Sequence, residues 1–143
     1  ANFLSLIKII YKNYPLPLKR LNNKRSYMYV ENITDAIVFI IKNNHFNGKT
    51  YDISDNCTLS TTKLVDLLGH YLDKRVIYFY FPKPIIKFFL RIIGKTDIFY
   101  KIMGDFKVSN KNFTTDTKWK PPYHYTYGIK KTCLWYKSTF KMQ

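Results

Sequence analysis

The sequence predicts a small mixed α/β (α+β) domain of several helices with short strands, and three observations carry this. Apolar residues recur at 3,4-type helical spacing in successive stretches, and short β-branched and aromatic runs separate those stretches. The third is size: 143 residues with 46% apolar content are near the length of one domain and enough for a sizeable core, so residues 1–143 are expected to form a single unit.

The elements follow in order. Phe3, Leu4, Ile7 and Ile10 make an amphipathic helix over 2–14, stopped by Pro15, which has no amide proton to donate. "PLPL" then runs extended. Tyr27–Val30 has strand character, and Asn32 or Thr34 is placed to cap a helix burying Ile33, Ala36, Ile37, Ile40 and Ile41. That helix is expected to stop in "KNNHFNG". Thr50–Ser54 reads as a short strand, and Ser60 caps a helix carrying Leu64, Val65, Leu67, Leu68, Tyr71 and Leu72. Val76–Phe81 is a third strand, and "PKPIIKFFLRIIG" a helix opened by proline and closed by Gly94. "TDIFYKIMGD" gives a short helix, "FKVS" a brief strand, "KWKPPY" a proline turn and "YGIKKTCLWYKSTF" a terminal helix.

The formal charge of +15 suits nucleic acid, anionic lipid or a phosphorylated small molecule, although it is spread along the chain as a lysine-rich surface would be. The longest apolar runs are broken by Lys87 and Arg91, well short of the roughly 20 residues of a bilayer span. The opening "ANFLSLIKII" does not read as a signal peptide but as a chain met partway. Cys57 and Cys133 have neither CxxC nor Cys/His spacing, which leaves a reducing cytoplasm as the expected compartment.

Five separated glycines assemble no GxGxxG and no phosphate loop, so no dinucleotide is expected to bind this chain in the usual way. His45, His70 and His124 read as surface histidines, and no metal site is expected. Tyr127 and Lys131 satisfy Tyr-x-x-x-Lys, but on a terminal helix with no cofactor loop anywhere, so no catalytic residue is assigned.

Four phrases in collinear order, "NFLSLIKIIYKNYPLPL", "NKRSYMYVENITDAI", "KTYDISDNCTLSTTKLVDLL" and "TKWKPPYHYTYGIKKTCLWY", carry a resemblance. Together they resemble the carboxy-terminal substrate-binding region of extended short-chain dehydrogenase/reductases (SDRs), in the NAD-dependent nucleotide-sugar epimerase/dehydratase family, UDP-glucose 4-epimerase-like. The Arg25 strand-helix run and the Trp-x-Pro turn at 119–121 are its most specific pieces. The resemblance implies the substrate-binding half without the Rossmann half, which in the family carries the glycine-rich loop, NAD and the catalytic Ser/Thr and Tyr-x-x-x-Lys. It places Arg25 on the diphosphate of a UDP-sugar, Asn2 and Phe3 beside the nucleotide, Leu16 and Leu18 at the base, and Asp105 on the ribose. Where relatives have Arg-x-Gly-Asp, "KIMGDF" supplies Gly104 and Asp105 without the arginine, and Lys101 or Lys107 can replace its charge.

The expected function is UDP-sugar binding within an epimerase or dehydratase of surface polysaccharide synthesis. The chain is expected to be inactive alone, with no cofactor of its own and NAD held by a separate Rossmann half. The alternative is a non-catalytic basic module on an anionic membrane surface, through the 82–94 helix with Lys83, Lys87 and Arg91 in one stripe. That alternative places the chain in the cytoplasm at the inner face of the membrane. Nucleic acid ranks last, because no binding module is recognisable.

Overall fold

The computed structural model describes residues 2–19, 21–43, 48–92, 94 and 96–140, and for Asn2, Lys83, Asp97, Ile98 and Ile102 the backbone alone. His45 and most of the "KNNHFNG" stop lie outside the described residues. The described elements are α1 (Asn2–Tyr11), β1 (Arg25–Ser26), α2 (Val30–Lys42), β2 (Thr58–Leu59), α3 (Thr61–Leu72), α4 (Lys83–Ile92), α5 (Thr96–Met103), α6 (Lys111–Thr117) and α7 (Tyr125–Phe140). The result is the mixed, helix-dominated architecture expected. None of the described helices is long and apolar enough to cross a membrane.

α3 is the pivot. Its first turn is closed by Ser60, whose hydroxyl accepts from the Lys63 amide at 3.0 Å, and Leu64, Val65, Leu68 and Leu72 turn inward as their spacing requires. α1 and α7 pack on either side of it, contributing Ile7 and Ile10 from one and Ile129, Cys133 and Tyr136 from the other. A second cluster, Ala36, Phe113 and Trp119, sits between α2, α6 and the proline turn.

The strands are shorter than the sequence suggested. β1 pairs antiparallel with β2, Arg25 opposite Leu59 and Ser26 opposite Thr58. Tyr27–Val30 is not a strand: Val30 already opens α2, and the extended residues before it are tied to the 54–55 segment by Asp55, whose amide donates to Tyr27 O at 3.0 Å. Its carboxylate in turn accepts from the Tyr29 amide at 2.9 Å. Among the described residues Thr50–Ser54 pairs with no strand, and Val76–Phe81 is reduced to one parallel bridge, Leu16 with Tyr78. "FKVS" likewise gives a single bridge, Phe106 with Arg25.

α2 also departs from expectation. Its N-cap is Tyr29, not Asn32 or Thr34. Asn32 is fully buried inside the helix, donating to Asp55 Oδ1 (2.7 Å) and Tyr123 O (2.9 Å) and accepting from the Tyr123 amide (3.0 Å). That rotates the helix so that Asn32, Ala36, Phe39 and Ile40 face inward, while Ile33, Ile37 and Ile41, expected in the core, are exposed. α6 has no counterpart in the predicted elements. It is held by buried Phe113 and by Thr114 and Thr117 hydroxyls donating back to Asn110 O and Phe113 O.

Candidate functional site

Arg25 lies between β2 and the isolated bridge to Phe106. On the side of the bridge, Ser26 N donates to Phe106 O and Phe106 N to Lys24 O, both at 2.8 Å. The bridge brings residues 104–108 alongside residues 24–26 from about 80 positions away in sequence. Arg25 Nη1 donates to Gly104 O at 3.1 Å, and the guanidinium stands 5.7 Å from the Phe106 ring centroid. Asp105 Oδ1 accepts from the Lys24 amide at 2.7 Å. Arg25 and Asp105 are therefore brought together, as a clasp between two segments.

Asn23, which the sequence reading did not single out, locks this clasp to α3. Buried to 4% exposure, it accepts from the Thr61 amide (2.9 Å) and donates to Thr61 Oγ1 (2.9 Å) and Gly104 O (3.2 Å). A Cβ on Gly104 would stand 2.6 Å from Tyr100 O, so only glycine lets the loop after α5 approach so closely. The Arg25 guanidinium has five N–H donors, and among the described residues its charge is not taken up by a salt bridge. Its field is felt nearby: burial pushes the Tyr27 hydroxyl above its ordinary range, and Arg25 pulls it partly back.

The other predicted residues are placed differently. Leu16 and Leu18 are buried in the core, and both backbone groups of Leu16 are engaged, its amide with Ile77 O (2.9 Å) and its carbonyl with the Phe79 amide (3.0 Å). Leu18 begins a strap over the first turn of α3, where Thr62 Oγ1 donates to Leu18 O (3.1 Å) and Leu21 O (2.9 Å). Leu18 and Arg25 are the two ends of that strap. Phe3 packs partly buried against the same core, and the Asn2 side chain lies outside the described part of the structure.

Tyr127 and Lys131 are neighbours without the geometry of a proton relay. The ammonium stands 5.4 Å from the ring centroid of Tyr127, which stacks on Tyr123 at 4.9 Å. Burial pushes the Cys57 and Cys133 thiols up to about 11, away from nucleophilic thiolate. An open groove of about 420 Å³, lined by Lys49, Tyr51, Lys111 and Asp116 among others, contains none of the predicted site residues. Lys49 and Tyr51 both donate to Asp116 there, at 2.9 and 2.8 Å, and hold its carboxyl below the usual range.

In fold the chain is similar to part of an extended SDR. It superposes, with a TM-score of 0.64 and 17% identity, on a solved dTDP-glucose 4,6-dehydratase from Bacillus anthracis str. Ames, itself in complex with NAD, covering 95% of this chain and 40% of that one. In sequence it is 32% identical over 133 residues to a UDP-glucose 4-epimerase of Vibrio cholerae, a match that covers 92% of this chain and 40% of the relative. The chain thus spans well under half the length of these proteins, and no family model matches it. In sequence and in fold it is similar to part of the nucleotide-sugar epimerase/dehydratase branch of the extended SDRs, as the four collinear phrases implied.

Proposed function

We propose that this chain is the sugar-nucleotide-binding portion of an NAD-dependent nucleotide-sugar epimerase or dehydratase, with Arg25 as its diphosphate clamp. The observation that carries the reading is the clasp: a half-buried guanidinium on a short strand, fixed at one N–H by Gly104 O and bearing no salt bridge among the described residues. Its planar fork can give two charge-assisted hydrogen bonds to phosphate oxygens. Asp105 keeps one carboxylate oxygen on the Lys24 amide, and the other can accept from a ribose hydroxyl. Leu16 and Leu18 act through the core, anchoring the segment that would pass the base. Phe3 and Asn2, at the start of α1, border the nucleotide.

NAD is the redox cofactor of the intact relatives, and it would be held elsewhere. Among the described residues no glycine-rich strand-to-helix turn fits a dinucleotide: Gly69 and Gly128 lie inside helices, with Val76 and Tyr29 where a Cβ would go. This chain's share of the work is binding energy from the remote nucleotide, which holds the sugar toward a cofactor on another half. Alone it is inactive. The likeness to a UDP-glucose 4-epimerase supports a UDP-sugar as the nucleotide sugar, and surface polysaccharide as its destination is part of the same proposal.

The test is calorimetric titration with UDP and with UDP-N-acetylglucosamine. Arg25→Ala should weaken both by about tenfold to a hundredfold, the worth of one or two charged hydrogen bonds, with the circular dichroism unchanged. Arg25→Lys should recover part of that loss by keeping the charge without the fork. Equal affinity in all three proteins removes Arg25 from the diphosphate.

A further inference from the structure

The helix α4, with the residues just before it, is built unlike the rest of the molecule. It packs against α5, and among its described side chains only Ile86 and Leu90 are half-buried. Around the rest of its circumference the side chains are open. Ile85, Phe88, Phe89 and Ile92 stand at i, i+3, i+4 and i+7, one face of the helix, and Phe88 and Ile92 are 61% and 65% exposed. Lys87 and Arg91 form a third sector, roughly a third of a turn from both the outer apolar face and the protein-facing one. Lys87 Nζ lies 5.4 Å from the ring centroid of Tyr100 on α5, itself exposed. The chain enters α4 through Ile77, Phe79, Tyr80 and Phe81, all exposed as well.

We propose that α4 is a docking element for an anionic lipid surface, lying in the plane of the headgroups with its outer face in the acyl boundary. Contiguous exposed apolar side chains beside a cationic stripe are a mark of an interaction surface. The charge decides the occupant. The α4 sequence contains three basic residues and no acidic one, and the whole chain carries +15, so the partner must offer both negative charge and depth for phenyl rings. A membrane interface containing anionic lipid offers both, with Lys87 and Arg91 at headgroup level and Phe88 and Phe89 below. α4 packs on α5 and is too short to cross a bilayer, so this contact positions the molecule on the surface without spanning it.

The experiment is flotation of the full chain with phosphatidylcholine vesicles, with and without phosphatidylglycerol. The chain should float with the anionic vesicles and less with the neutral ones. Phe88→Ser with Phe89→Ser should weaken that binding by more than about tenfold, as loss of two buried rings requires, with helical circular dichroism retained. Lys87→Gln with Arg91→Gln should abolish the preference for phosphatidylglycerol. The same charge change elsewhere, Lys120→Gln with Lys130→Gln, should leave binding as it was. Absence of wild-type binding to anionic vesicles overturns the proposal. So does binding indifferent to the phenylalanine pair, or equally reduced by the Lys120 and Lys130 pair, because net charge alone would then be the cause.

Discussion

α2 and α4 both leave an apolar face uncovered, and they do so for opposite reasons. α2 is fixed from within: Asn32 holds Asp55 and Tyr123, and Asp35 accepts from Trp119 Nε1 at 2.6 Å. Once those bonds set its rotation, Val30, Ile33, Ile37 and Ile41 have nowhere to point but outward. α4 has only Ile86 and Leu90 half-buried among its described side chains, with Lys87 set against the exposed Tyr100 ring, so its rotation is less firmly fixed. The outer stripe of α2 has no basic residue before Lys42 and carries Glu31 and Asp35 on the same helix, whereas α4 carries cations alone. Exposure alone therefore does not identify a partner. The charge beside the exposed face, and how firmly the helix is held, separate the two.

The largest effect should come from loosening α2 until it resembles α4. Asn32→Ala leaves the buried Asp55 carboxylate with the Tyr29 amide but without its Asn32 donor, and the part-buried Tyr123 amide without its acceptor, a loss of about 3 kcal/mol in urea unfolding. The pH dependence sharpens this. Burial raises the Asp55 carboxyl above its ordinary 3.8, while Asn32 and the Tyr29 amide hold it down. A carboxyl raised in the folded state favours folding when protonated, and that contribution is lost as the pH rises through the folded value. Without Asn32 the rise is steeper, so the gap between variant and wild type should narrow below the ordinary value of 3.8 and be widest at neutral pH. A gap independent of pH would mean that Asp55 is not what Asn32 serves.

A smaller effect should follow from disturbing the start of α2 from outside. Gly128 on α7 lies against Tyr29, the N-cap of α2, and an added Cβ would stand 2.6 Å from two ring carbons and 2.9 Å from the Tyr29 Cβ. The ring cannot swing clear by a simple rotation about its own bonds. Gly128→Ala should cost about 2 kcal/mol, the scale of overpacking in a well-filled interior, read as a lower urea midpoint at unchanged slope. A neutral result would show that the α7 contact does not help to fix α2.

The sequence made these helices legible to different depths. α3 was readable in full because a capping serine and a 3,4-spaced apolar set agree, and each local preference points to the same packed face. α2 was readable as a helix but not as an orientation: isoleucines at 33, 37, 40 and 41 specify the period, while the buried face was chosen by Asn32, whose partners lie 23 and 91 residues away. α6 was invisible because "KNFTTDT" has one apolar residue and its hydroxyls bond back to the helix, which no periodicity reports. At the candidate site Arg25 stood out through its resemblance to a known pattern. Asn23 did not, since its clasp on Thr61 and Gly104 exists only once β1, α3 and the loop after α5 meet. Strand lengths were overestimated because β-branched runs report extended backbone, and only tertiary pairing makes a ladder of it.

The smallest expected effect is the most discriminating. Ile37→Ser with Ile41→Ser removes apolar surface that nothing in the described structure covers, so urea stability should change by no more than about 0.5 kcal/mol. In the same flotation with phosphatidylglycerol vesicles the double variant should bind like the wild type. The outer stripe of α2 matches the outer face of α4 in exposed apolar side chains but lacks its flanking cations. If the α2 pair weakens vesicle binding as much as the Phe88 and Phe89 pair, apolar area is sufficient and the cationic sector of α4 is incidental. If only the α4 pair matters, the difference between two similar exposed faces lies in Lys87 and Arg91, and charge adjacent to apolar surface is what makes one of them a membrane-facing helix.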